Sequence, residues 1–259
     1  MFSHIHPDNY QAQLDQKQGE IEKLFSEFSL PSFDIYTSEP LNYRQRAEFR
    51  VWHDGDELDY IMFNSETKAK YKVKDFPVAS TLINSAMKAL IREIKDKPVL
   101  RHRLFQVDFL STLSGELLIS LLYHKQLDDP WEKQAFELKA TLSNLAPTDI
   151  IGRARKQKVI LNKDFVNEKL EVNGKAYLYQ QVENSFTQPN AKVNEKMLAW
   201  AQEATLGDNG DLIELYCGNG NFSIALAQNF KRVLGTEISK TSVRSAQLNI
   251  EQNNLDNVD

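Results

Sequence analysis

The residues best suited to chemistry lie in "ELYCGNGNF", positions 214 to 222, where a short apolar run breaks into two glycines and an asparagine pair before a helical pattern begins. Gly218 and Gly220 permit positive φ and a close approach of backbone to a ligand, as in loops that hold a nucleotide at a helix N-terminus. The next apolar run ends in "VLGTEIS", which places Glu237 about twenty residues beyond the loop, where a carboxylate accepts both hydroxyls of a ribose. Together these features predict a nucleoside-containing cofactor. A dinucleotide would favour a third glycine for tight packing beneath its pyrophosphate, and Ser223 stands at that place. S-adenosylmethionine has no phosphate to cradle, needs the carboxylate for its ribose, and needs polar groups such as Asn221 for its amino-acid end. The loop favours S-adenosylmethionine.

The elements that must position this loop alternate strand and helix. "AYLYQQV" reads as a strand, "FTQPN" as a turn with Asn190 capping a helix, and "AKVNEKMLAWAQEATL" as that helix. Strand 211–216, helix 222–229, strand 232–238 and helix 241–252 follow, and "NVD" reads as the entry to a third strand. This predicts a Rossmann-like α/β domain over 176–259, with a parallel sheet cut short at Asp259.

Residues 1–175 read differently, as an α+β region on antiparallel sheet. A polar helix (about Asp8 to Phe28) precedes a hairpin of "LNYRQRAEFRVWH" and "LDYIMFN" around "HDGDE". A third strand, "TKAKYKVKDF", and an amphipathic helix over Val78–Lys95 come next. A second hairpin turns at Ser114-Gly115, Pro130 starts a helix that ends near Leu145, and "DIIGRARKQKVIL" reads as one strand.

Charge separates the two regions. There are 25 basic against 26 acidic residues in 1–175, and 6 against 10 in 176–259. In the first region the basic residues cluster: Arg44, Arg46 and Arg50 share one strand face, Lys68, Lys70, Lys72 and Lys74 another, and Arg153, Arg155 and Lys156 form a third group. If those strands are neighbours they form a surface for phosphates, with Phe105 and Tyr43 available to stack on unpaired bases. The candidate RNA-binding residues are Arg46, Arg50 and Phe105, with His124 as a further contact. The other reading of these strands is a solvated polar face.

The single cysteine, Cys217, excludes an internal disulfide and any multi-cysteine metal site, and the histidines lack ligand spacing, so no metal is expected. No run of eighteen apolar residues occurs and the first twenty residues lack a signal-peptide core, so a cytoplasmic monomer without membrane contact is expected.

"FTQPN", "ELYCGNGNFSIALA" and "TEIS", together with "YRQRAEFRVWHDGD", "LFQVDFL" and "YHKQLDD", resemble the RNA uracil-5 methyltransferase family over nearly the whole chain. That resemblance implies methylation of uracil C5 in the T loop of tRNA, with S-adenosylmethionine contacted by Gln188, Tyr216, Asn221 and Glu237. It also implies a cysteine thiolate that adds to uracil C6 and a glutamate base that removes the C5 proton. In the family these come from a Ser-Cys-Asn-Pro segment and a C-terminal glutamate, neither of which occurs here, so both are expected beyond Asp259. Cys217, inside the cofactor loop, is expected to fill a tight turn. Two other readings remain open at this stage: a non-catalytic RNA-binding module, and a small-molecule methyltransferase with an unrelated N-terminal region.

Overall fold

The computed structural model describes residues 5–64 and 66–259. It opens with helix α1 (Tyr10–Leu24), none of whose residues is buried. The first body is a mixed sheet of β1 (Arg46–Asp54), β2 (Glu57–Phe63), β3 (Lys70–Val73), β4 (Leu104–Ser111), β5 (Leu117–Tyr123), β6 (Thr148–Ala154) and β7 (Gln157–Ile160), in the order β3-β2-β1-β4-β5-β6-β7. Helices α2 (Thr81–Ile94), α3 (Pro98–Arg101) and α4 (Asp129–Leu142) accompany it. Every pairing is antiparallel except β5 with β6, where α4 is the crossover that a parallel pair requires. The expected antiparallel sheet thus holds one parallel pair.

Alternation sets the two faces. Ala47, Phe49 and Val51 of β1 are buried in one core with Ile83, Met87 and Leu90 of α2 and Trp131 and Leu138 of α4. Arg46, Glu48, Arg50 and Trp52 project to the other, open face. "DIIGRARKQKVIL" is two strands rather than one: β6 and β7 turn back at Arg155–Lys156, with Lys156 at φ 59°. A turn made without glycine, asparagine or proline leaves no compositional mark.

β8 (Phe165–Val172) and β9 (Lys175–Val182) form an antiparallel hairpin through Asn173-Gly174, both at positive φ. "AYLYQQV" therefore belongs to this hairpin and not to the parallel sheet, and a boundary at 175/176 would cut the hairpin beside its turn. The hairpin's Leu170, Val172, Tyr177 and Tyr179 are buried with Leu198 of α5 (Ala191–Ala204) and with Ile224 and Ala225 of α6 (Asn221–Leu226). β10 (Asp211–Leu215) and β11 (Arg232–Thr236) pair in parallel, and α7 (Lys240–Gln252) lies against β9. Val258 makes an isolated parallel bridge to Val233, at the place where the sequence reads as the entry to a third strand.

Two carboxylates tie the bodies together. Glu168 of β8, almost fully buried, accepts from the Leu113 and Lys169 N–H groups. Burial raises its pKa to about 7 against those bonds. Glu116 accepts in return from the Asn167 N–H and from Lys163.

Candidate cofactor loop and nucleic-acid groove

The loop after β10 turns through three positive-φ residues, Tyr216 at 59°, Gly218 at 59° and Gly220 at 84°, into the first turn of α6. Two carboxylates brace it. Glu214 accepts from the Ser223 N–H at 2.7 Å and from the Ser223 hydroxyl, and Glu237 accepts from Gly218 N–H at 3.1 Å and Ser239 N–H at 2.7 Å. Glu237 thus meets the glycine loop, as its spacing predicts. Tyr216 stands at the strand end, 85% exposed. Asn221 exchanges two amide hydrogen bonds with Asn194 of α5, and Gln188 lies half-buried two residues before Asn190, whose side chain caps α5 at the Val193 N–H. The structure gathers Tyr216, Asn221 and Glu237 around one loop and joins Gln188 to it through α5.

Cys217 is buried in the turn, its N–H bonded to Thr236 O at 3.0 Å. A Cβ placed on Gly235 would stand 3.0 Å from its sulfur, so the thiol faces a neighbouring strand at close quarters. Burial, with the Glu214 and Glu237 charges, pushes its pKa up, the reverse of what an attacking thiolate needs.

A second support, invisible to the sequence reading, comes from β9. Asn219 Nδ2 donates to Gln180 O at 3.1 Å, Asn249 of α7 accepts from Gln180 N–H at 2.6 Å and donates to Asn219 O at 3.0 Å, and the Ser245 hydroxyl donates to Gln180 O. Asn249 is fully buried. Ser242, Ser245, Ala246 and Asn249 form its stripe at helical spacing, which an apolar periodicity count passes over.

Glu183, the residue after β9 and three beyond Gln180, reaches the open face of the large sheet. It accepts both Nε and Nη2 of Arg153, at 2.6 and 2.5 Å, and lies 3.3 Å from Lys158. Beside Arg153 runs a groove of about 780 Å³ lined by Arg103, Phe105, Leu122, His124, Lys125 and Arg155. Phe105 stacks on His124 with centroids 3.9 Å apart and planes 11° from parallel, and the Arg50 guanidinium carbon lies 5.5 Å from the Phe105 centroid. A register shift between Leu104 and Gln106 turns Phe105 out of the strict alternation.

The other basic residues are placed differently from a continuous basic surface. β3 is separated from β1 by β2, and β6 from β1 by β4 and β5, so the three clusters are not on neighbouring strands. Lys72 pairs with Asp59, and Lys70 Nζ sits 3.0 Å over the Trp52 ring. Arg46 donates to Ser185 O at 2.7 Å and pairs with Glu48, bracing β1 against the segment that leads to Gln188. Below it, Asp108 is half-enclosed with Ser120 and Glu183, and burial raises its pKa to about 6. Phe186, in that same segment, is 73% exposed and was not singled out by its sequence context. Among the described residues no helix is long and apolar enough to cross a membrane, and no group of three or more His, Cys, Asp or Glu side chains is placed to hold a metal ion.

The profile of the tRNA (uracil-5-)-methyltransferase family matches residues 9–259. This chain belongs to that family. A tRNA/tmRNA (uracil-C(5))-methyltransferase of Colwellia psychrerythraea is 72% identical over all 259 residues, which span 71% of that protein, and one of Shewanella baltica is 60% identical over 97% of this chain and 69% of its own. The crystal structure of Pyrococcus abyssi tRNA (uracil-54, C5)-methyltransferase in complex with S-adenosyl-L-homocysteine superposes with a TM-score of 0.68 at 20% identity, over 96% of this chain and 62% of that one. A likeness at that identity shows the methyltransferase fold for this family member.

Proposed function

We propose that the protein methylates C5 of a uracil in the T loop of tRNA, with S-adenosylmethionine as methyl donor. The observation that carries this reading is the placing of β9: Gln180 holds the glycine loop, and three residues on Glu183 holds Arg153 beside the aromatic groove. The loop proposed for the cofactor and the groove proposed for RNA are thereby both tied to β9 and to the residue that follows it.

The residues present suit the donor. Each oxygen of Glu237 accepts one backbone N–H and keeps a lone pair, so the carboxylate can still take two ribose hydroxyls. Tyr216 offers an exposed ring beside the loop, Asn221 a side-chain amide, and Gln188 a half-buried one. The donor supplies an electrophilic methyl group when bound. On the RNA side, Arg50 meets a phosphate while the Phe105–His124 pair receives an unstacked base. Activation of C5 needs a thiolate at C6 and a base at C5. Cys217 is the only thiol in this sequence and is committed to the loop; the family resemblance implies a later cysteine and a later glutamate, and we assign the two groups to those residues. The two units then divide before Phe165, leaving the hairpin whole with the cofactor body.

The test is methyl transfer from labelled S-adenosylmethionine by the full-length gene product. A tRNA with its T-loop uridine should accept label at C5, and one with cytidine there should not. Label on a small molecule but on neither RNA would overturn the reading, as would RNA binding without affinity for the donor.

A further inference from the structure

We propose that Asn194 is a positioning residue for the cofactor site, acting through Asn221; the inference rests on the assignment of Asn221 to the cofactor. Asn194 lies on α5, four residues after the Asn190 cap, and is 4% exposed. Its Nδ2 donates to Asn221 Oδ1 at 2.8 Å and its Oδ1 accepts from Asn221 Nδ2 at 2.9 Å. A side-chain amide has two N–H donors and two acceptor lone pairs. The reciprocal pair occupies one of each on Asn221 and leaves one of each on the side away from α5. It also holds the two amides edge to edge, so the free N–H and lone pair of Asn221 have a fixed direction before any ligand arrives. The backbone of Asn221 is pinned as well, because Tyr179 of β9 donates its hydroxyl to Asn221 O at 3.0 Å.

The same contact joins two parts of the site that are distant in sequence. Asn194 N–H donates to Asn190 O, and Gln188 and Pro189 precede that cap directly. The segment bearing Gln188 and the loop bearing Asn221 are therefore held in register by one buried amide pair. A hydrophobic pair could bring α5 and α6 equally close, but it could not fix which way the Asn221 amide faces. Preorganisation of this kind shows in ligand affinity, since a side chain already ordered loses less freedom on binding.

The experiment measures S-adenosylhomocysteine and tRNA affinity on the full-length protein carrying Asn194→Ala, Asn221→Ala or both, with thermal melting as a control on folding. Asn194→Ala should weaken S-adenosylhomocysteine binding about tenfold, the equivalent of one net hydrogen bond, and leave tRNA affinity within about twofold. The double variant should bind no more weakly than Asn221→Ala alone, because the two act as one unit. Asn194→Ser, whose hydroxyl can keep one of the two bonds, should fall between Asn194→Ala and wild type, and it serves as the test if the alanine variant does not fold. Wild-type affinity in Asn194→Ala would overturn the inference. So would a parallel loss of S-adenosylhomocysteine and tRNA binding, or additive losses in the double variant, since either marks a contact that only supports the fold. Full affinity in Asn221→Ala while wild type binds normally would remove Asn221 from the cofactor site, and this inference with it.

Discussion

Glu183 and Arg153 form a two-point ion pair across the joint between the large sheet and the β8–β9 hairpin, with Lys158 as a second cation on the same carboxylate. Burial alone would raise the Glu183 pKa, but the Arg153 and Lys158 interactions outweigh it and hold the group below the usual glutamate range. Removing Glu183 leaves the half-enclosed Arg153 without its carboxylate. Glu183→Ala should destabilise the protein by roughly 2–4 kcal/mol, read as a shift in the urea midpoint. A change under about 0.5 kcal/mol would make the pair an ordinary surface bridge and remove the joint from the account.

Arg50 and Phe105 are expected to act on RNA in different ways. Arg50→Ala should lower tRNA affinity and reduce the slope of log K against log salt by about 1, because one phosphate contact is lost. Phe105→Ala should lower affinity by about 1–3 kcal/mol of stacking with the salt slope unchanged. Arg46→Ala should weaken the bracing of the Ser185 segment, so its larger effect is expected on cofactor affinity. Salt titrations of the three variants separate these roles, and equal slopes for Arg50→Ala and wild type would leave the groove without its phosphate contact.

Much of this is legible in the sequence, and what is not legible has two physical causes. The glycine loop, Glu237, the Asn190 cap and the β10–α6–β11 alternation are local patterns and appear where their spacing puts them. The β6–β7 turn is silent because Arg155–Lys156 carries no turn residue, and β8 is hidden because the strand it pairs with leads straight into α5, as a parallel strand would, despite Asn173-Gly174. Asn194, Asn219 and Asn249 were invisible for a different reason. Each of these asparagines owes its place to a partner dozens of residues away, and nothing near it in the chain announces that partner. Arg46 shows the converse: strand alternation fixed its face but not whether its guanidinium was already taken.

Asp108 makes a pH prediction. Its pKa is raised to about 6 by burial, partly offset by a hydrogen bond from Gln106. Between the unfolded aspartate value and pH 6, the folded protein holds a proton that the unfolded chain has released. Stability from this group is therefore present below that window and is lost as pH rises through it. Asp108→Asn removes the titration, so it should gain stability relative to wild type, by about 2 kcal/mol, on going from pH 4 to pH 7. Denaturation at the two pH values measures this, and an unchanged difference would show that Asp108 ionises freely.

Glu237 serves both the loop and the proposed ligand. Glu237→Gln keeps an acceptor for one of the two backbone N–H groups but loses the charge, and should weaken S-adenosylhomocysteine binding by about 1.5–3 kcal/mol. Titration calorimetry at constant ionic strength is the measurement. Wild-type affinity in this variant would take the carboxylate out of ribose recognition and leave it as a brace for Gly218 and Ser239.

Cys217 tests the assignment of the nucleophile. Its sulfur is buried against Gly235, and its pKa is raised by burial and by two nearby carboxylates, so the thiolate is scarce at neutral pH and cannot reach out of the turn without opening it. A side chain that only fills the turn can be replaced by one of similar or smaller size. Cys217→Ser and Cys217→Ala in the full-length protein should therefore keep methyl transfer to tRNA, with at most a severalfold loss of S-adenosylmethionine affinity as the loop relaxes into the vacated space. Both variants should also still form a covalent adduct with a tRNA carrying 5-fluorouracil at the target position. There the fluorine cannot leave as a proton does, so the attacking thiol stays bonded to C6 after the methyl group has moved. Loss of that adduct in Cys217→Ala, with folding and cofactor binding intact, would make Cys217 the attacking group. The glycine loop would then have to open during each turnover to release a thiol that the folded structure holds against β11.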